Sequence, residues 1–261
     1  MQARPREILD TAGAAGAGLL NFLLPMRCLA CDERVGSKGS LCARCWREMP
    51  FIEKPWCQRL GTPFAYDVGE ETWSPAAIAS PPAFDRLRTV THYDGPARSL
   101  VLALKFSRRR ELALAMGRWM SRAGNEFLDK DCLVVPVPLH RYRLWTRRFN
   151  QAADLAKVVA SHCGGRFEPE LLKRTRRTRQ QVGLSANDRQ QNVRSAFTVS
   201  RKGVEMVQGR HVVLIDDVLT TGATVTACSK TLLSGGAASV DVLTFSYADP
   251  SKGAADDWLN A

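Results

Sequence analysis

The sequence has no uninterrupted run of 18 apolar residues, so no segment is long enough to cross a bilayer as a helix. It has no glycine-rich stretch ending in Gly-Lys-Ser/Thr and no Gly-x-Gly-x-x-Gly, which removes the P-loop and the dinucleotide-binding turn. Internal repeats are missing, which excludes a solenoid. Histidine is scarce, with His92, His140, His162 and His211 scattered. Each reads as a surface or core residue, and no general base stands out. Acidic residues are also few, 26 against 37 Lys and Arg, for a formal net charge of +11. That balance favours anionic partners: phosphorylated metabolites, nucleic acid or anionic lipid.

What is present is enough for a folded protein. At 261 residues and 45% hydrophobic content, the chain can bury one sizeable core and a small satellite module. The positive charge is concentrated. Between Pro138 and Arg194, 13 Lys or Arg face 4 Asp or Glu, a net +9. This is a solvated basic face or an anion-facing surface. Near the start, Arg4 and Arg6 precede an Ala/Gly/Leu-rich run from Ala12 to Leu24. Glu7, Asp10 and Asn21 interrupt that run, and Pro25-Met26-Arg27 follows in place of a small-residue cleavage site. The expectation is an amphipathic helix over 1–24 and a cytoplasmic protein.

Five of the eight cysteines lie between Cys28 and Cys57. Cys28-x2-Cys31 and Cys42-x2-Cys45 are two CxxC turns separated by ten residues. Each turn sets two thiolates at the spacing of two tetrahedral vertices, so together they predict a structural four-thiolate zinc site in a module over 25–60. The alternatives are two disulfides or four free thiols; disulfides need an oxidising compartment, and no export signal supports one. Cys57 is left over and is not counted as a ligand. Residues 61–84 hold Pro63, Pro75, Pro81 and Pro82 and read as a linker or irregular connection.

From residue 85 to 250 the pattern is that of an α/β domain, with 251–261 as a tail. Strands are expected over 88–93, 132–137, 210–215 and 239–246, helices over 97–105, 111–123, 150–162 and 224–234, and a turn at Asp94-Gly95-Pro96. Alternation of this kind implies a mostly parallel twisted sheet flanked by helices.

The strand ending at Ile215 runs into Asp216-Asp217-Val218-Leu219-Thr220-Thr221-Gly222-Ala223-Thr224 and then a helix. Ligands of parallel sheets bind beyond the carboxyl ends of strands. Free N–H groups and the dipole of a helix start attract phosphate, and Gly222 allows close approach. Thr220, Thr221 and Thr224 add hydroxyl donors. Two adjacent carboxylates are costly unless neutralised or hydrogen-bonded, and ribose hydroxyls with a divalent cation would do both. The plain alternative is a strand–turn–helix with Asp as a cap.

This loop resembles the 5-phosphoribosyl-1-pyrophosphate (PRPP) motif of type I phosphoribosyltransferases. The whole chain resembles the ComF family of competence-associated, phosphoribosyltransferase-like proteins. The match includes Leu23-Leu24-Pro25, Tyr93-Asp-Gly95, Leu104-Lys105-Phe106, Val135-Pro-Val-Pro-Leu139, Arg147-Arg-Phe-Asn-Gln151, Arg179-Gln180 and Ala196-Phe197. It departs from the family pattern at Arg148, where Gly is usual, and at Leu60, where a cysteine would pair with Cys57; one zinc is therefore expected. The resemblance implies a type I phosphoribosyltransferase-like fold with a zinc ribbon-like module. It implies PRPP with Mg2+ on Asp216, Asp217, Thr220, Thr221, Gly222, Ala223 and Thr224, and pyrophosphate facing Pro138 and Leu139. Asp216, Asp217 and Arg147 become candidates for catalysis. Residues 173–194 stand where such enzymes keep a loop that closes over PRPP. Natural transformation is the implied role, with phosphoribosyl transfer, PRPP sensing and single-stranded DNA binding as open alternatives. Trp145, Phe149 and Phe167 are candidate stacking groups for DNA.

Overall fold

A computed structural model describes residues 26–67, 69, 72–106, 110–139, 150–175 and 196–249. The expected N-terminal helix, Arg147, Trp145, Phe149 and most of the basic 138–194 region lie outside the described residues. In chain order the elements are α1 (Ala43–Arg47), α2 (Pro75–Ala79), β1 (Leu87–His92), α3 (Gly95–Phe106), α4 (Arg110–Ala123), β2 (Leu133–Pro136), α5 (Gln151–Cys163), β3 (Arg166–Phe167), β4 (Leu172–Arg174), β5 (Phe197–Val199), α6 (Arg201–Val207), β6 (His211–Leu219), α7 (Ala223–Ser234) and β7 (Ser239–Tyr247). No helix among the described residues is long and apolar enough to cross a membrane.

Five strands form one parallel sheet in the order β1-β7-β6-β2-β3, and β4 and β5 make a separate antiparallel pair. Alternation along the strands sorts their side chains into two cores, one on each face. Val90, Val134, Val213, Ile215, Leu243 and Phe245 join α3, α4 and α5. Leu133, Val135, Val212, Leu214, Val240 and Val242 join α7 and the β4–β5 pair. Burial on both faces explains why β2 and β6 read as continuous apolar runs.

Three local readings shift. Gly95 and Pro96 begin α3 and are not a free turn, because proline suits a first helical turn, where its missing N–H costs nothing. The 61–84 stretch holds α2, whose first residue is Pro75 and whose preceding Ser74 side chain accepts the Ala77 N–H. Strand β6 does not stop at Ile215; it pairs with β7 as far as Leu219↔Tyr247. The acid pair thus lies on a strand, and polar identity alone does not reveal that its backbone is still paired.

The cysteine module is packed on the domain. Leu29 and Met49 belong to the first core, and Trp46 and Phe51 pack edge-on against Trp119, which stacks on Phe245. Ile52 N–H donates to the Val90 carbonyl and His92 N–H to that of Pro50, so residues 50–52 cover the edge strand β1. Arg88, 2% exposed, fastens the stretch around Gln58 to β1. Its guanidinium donates to the Gln58 carbonyl (2.9 Å) and Gln58 Oε1 (2.9 Å), lies over Trp56 and pairs with Glu126. Arg88→Ala leaves these acceptors and Glu126 without their partner. The expected cost is about 3 kcal/mol in urea unfolding, whereas an exposed arginine such as Arg122 should cost under about 0.5 kcal/mol.

Candidate functional site

Strand β2 continues through α5 to β3 at one edge, while β6 continues through α7 to β7 in the other direction. Neighbouring strands whose connections diverge leave a crevice beyond their carboxyl ends, the usual ligand position in such sheets. Here the strands also differ in reach. The β2–β6 ladder ends at Pro136↔Ile215, with one further bond from Val137 N–H to the Ile215 carbonyl. Residues 216–219 therefore project past β2 into the crevice.

Asp216 and Asp217 are the first residues of this overhang. Each carboxylate accepts the N–H of the next residue: Asp217 N–H to Asp216 Oδ1 (2.9 Å) and Val218 N–H to Asp217 Oδ1 (2.8 Å). The facing of side chains changes across the pair, since Val218 joins the first core and Leu219 the second, opposite to strict alternation from Ile215. Burial, and next the charge of Asp217, push the Asp216 carboxyl well above the ordinary carboxylate range. Such a group gains from hydrogen-bond donors that favour its charged form.

The chain then turns through Thr220 and Thr221 to Gly222, the residue before α7, at φ 74°. That left-handed backbone favours glycine, and as Gly222 has no side chain, no cap hydrogen bond is made at the start of α7. Sequence places the helix start at Thr224; it lies at Ala223, one residue earlier. A Cβ on Gly222 would meet nothing closer than 4.0 Å, so substitution acts through the backbone and not by collision. Gly222→Ala is expected to cost about 1–2 kcal/mol in urea unfolding and to weaken phosphate binding, a joint effect that titration of each variant with inorganic phosphate will read.

The opposite wall comes from β2. Pro138 is buried and Leu139 half-buried just after Val137. Asn150 binds this turn to α5: its Nδ2 donates to the Val137 carbonyl (3.2 Å) while its Oδ1 accepts the Ala152 N–H (3.1 Å). Two residues at or beside the crevice carry no role from sequence, Asn150 and Lys105. Lys105 is 6% exposed at the end of α3, and its Nζ lies 3.7 Å from Asp217 Oδ2. A lysine at core spacing behind Ala97, Leu100, Val101 and Leu104 is the signal that could have exposed it. Phe167, a candidate DNA-stacking ring, packs against the first core.

The second site is the cysteine cluster. Sulfurs of Cys28, Cys31, Cys42 and Cys45 all lie within 4.8 Å of one another, with Cys31 and Cys42 3.7 Å apart. Tetrahedral zinc with Zn–S near 2.3 Å requires sulfurs about 3.8 Å apart, so the donors fit. The turn after Cys31 puts Asp32 at φ 59°, and Cys42 precedes α1 with its sulfur accepting the Cys45 N–H. Burial works to raise the Cys28 thiol, but N–H groups of Cys42, Ala30 and Cys31 bring it down to about 7. Burial and the neighbouring thiols raise Cys45. A divalent cation among the four sulfurs removes that conflict. Cys57 stands apart, its sulfur accepting N–H from Leu60 (3.4 Å) and Ser74 (3.2 Å).

Comparison with known proteins agrees with this geometry. The double zinc ribbon domain matches residues 19–76, and the phosphoribosyl transferase domain matches residues 154–258. DNA utilization protein YhgH of Escherichia coli (strain K12) is 35% identical over 211 residues, spanning 78% of this chain and 87% of the relative. Competence protein F of Haemophilus influenzae is 28% identical over 230 residues, spanning 86% and 97%. Competence protein ComFC of Bacillus subtilis is 28% identical over 162 residues, spanning 60% and 62%. The parallel sheet, its crevice and the four-cysteine ribbon define a phosphoribosyltransferase-like protein with a structural zinc module. The chain belongs to the ComF family.

Proposed function

We propose that this chain binds PRPP with Mg2+ in the crevice between β2 and β6 and acts in the use of DNA taken up by the cell. The observation that carries the reading is the overhang of β6. It sets two carboxylates and a glycine-led helix start without a side-chain cap side by side. The helix start and the hydroxyls of Thr220, Thr221 and Thr224 would hold the 5-phosphate. Asp216 and Asp217 would accept the ribose hydroxyls, which supply donors to half-buried carboxyls. Pro138 and Leu139 would face the pyrophosphate; Asp216 and Asp217 stand where they could help hold Mg2+, which when bound would offset phosphate charge. Arg147, outside the described residues, is a candidate for the same anion on the family resemblance alone.

The reading of DNA use rests on the names of the relatives, which describe DNA utilization and competence. It is also consistent with the net charge of +11. Calorimetric titration of the purified, zinc-loaded chain with PRPP and Mg2+ tests the ligand. Saturable 1:1 binding supports it, and no heat at millimolar PRPP removes it. Pyrophosphate release across a panel of amines and bases separates transfer from binding alone.

A further inference from the structure

Lys105 is a buried cation on an otherwise apolar helix face, and buried ammonium groups are expensive unless paired. It arrives from α3, which follows β1 and lies outside the 154–258 segment matched to the phosphoribosyl transferase domain. A second part of the fold thus reaches into the crevice independently of the loop after β6. Its partner oxygen, Asp217 Oδ2, is the one that Val218 N–H does not use. The charge of Lys105 also acts on Asp216, opposing the repulsion from Asp217. One ammonium therefore serves two neighbouring carboxylates from one side.

We propose that Lys105 is a positioning residue for the sugar: its ammonium holds Asp217 Oδ2 so that the acid pair presents its remaining lone pairs to the ribose hydroxyls. This rests on the PRPP reading and assigns the sugar end of that site to a residue on a separate helix. Without the ammonium, two adjacent carboxylates repel, and the pair turns apart or takes up a proton; either change removes an acceptor from the ribose. The phosphate end, built from the first-turn amides of α7, does not include Lys105.

The test separates those two ends. Wild type, Lys105→Met and Lys105→Arg are titrated with ribose 5-phosphate and with inorganic phosphate, and their melting temperatures are measured. The expected result is that Lys105→Met weakens ribose 5-phosphate roughly tenfold or more, the size of a lost charge-assisted bond, with inorganic phosphate affinity unchanged. Lys105→Arg recovers part of the loss. Unchanged ribose 5-phosphate affinity in Lys105→Met overturns the assignment while leaving PRPP binding intact. Equal weakening of both ligands with a lowered melting temperature also overturns it, since that is the signature of a structural lysine. A wild type that binds neither ligand removes the PRPP reading itself, and this inference with it.

Discussion

Asp216→Asn/Asp217→Asn is expected to abolish measurable PRPP binding, while the single variant Asp216→Asn, which keeps the Asp217 partner of Lys105, melts no earlier than wild type when empty. The two halves of this result have separate causes. Hydrogen bonds to charged groups contribute about 1.5–3 kcal/mol each, so losing two carboxylate contacts to the ribose weakens binding roughly 100-fold or more. The effect on stability runs the other way. The Asp216 carboxyl is raised well above its ordinary range by burial and by Asp217, so ionising it costs more in the folded protein than in the unfolded chain. A carboxyl with a raised folded-state value favours folding below the unfolded pKa, and that contribution is lost as pH rises through the folded value. Near neutral pH the empty wild type therefore carries an unfavourable term that asparagine removes. The bond from the Asp217 N–H to Asp216 Oδ1 survives the change in kind, because an asparagine side chain at that position still offers a carbonyl oxygen as acceptor. Thermal melts at pH 5.5 and 8 with calorimetry on the same samples check both halves. A double variant that binds PRPP like wild type contradicts the site. An Asp216→Asn variant that melts earlier at pH 8 contradicts the assignment of Asp216 as a strained group.

Zinc removal is expected to have the largest effect on the fold. One zinc per chain should be found by metal analysis, and stripping it should unfold the ribbon, because structural zinc supplies about 10–16 kcal/mol of apparent binding energy to small modules. Loss should spread beyond the ribbon. Leu29 and Met49 leave the first core, and residues 50–52 no longer cover β1, which exposes a strand edge to pairing with other chains. Chelated protein should therefore show a red shift in tryptophan emission, from Trp119 losing the cover of the ribbon, and should aggregate at concentrations where the metal-loaded form does not. Cys45→Ser should reproduce this, since Cys45 is buried in the cluster. A chelated sample with unchanged emission and solubility would show that the ribbon stands without metal.

Both predictions concern residues that sequence singles out, yet the structure changes what they mean. The acid pair is legible as chemistry, because two carboxylates before Thr-Thr-Gly-x-Thr suit a sugar phosphate. Its residue types point to a loop because Asp is poorly suited to strands; pairing with β7 overrides that preference through Leu219. The Gly-led helix start is likewise visible, with its boundary displaced by one residue. Lys105 and Asn150 stand within motifs but carry no role there. Neither spacing nor residue type shows that α3 ends beside β6 or that Asn150 reaches back to Val137. Arg88 gives no local sign at all, since its partners Gln58, Trp56 and Glu126 come from distant segments.

By itself the sequence determined the classes of element and the two chemistries. Apolar runs specify strands buried on both faces, paired CxxC turns specify a thiolate cluster, and a glycine before a helix specifies an anion-facing start. These depend on neighbours a few residues apart, where spacing and geometry are nearly the same thing. Tertiary structure alone decided that β6 outreaches β2, that a lysine from α3 meets Asp217, and that the ribbon seals the edge of β1. Those outcomes depend on which strands become neighbours, and that is set by the packing of two cores over the whole chain and not by any short run within it.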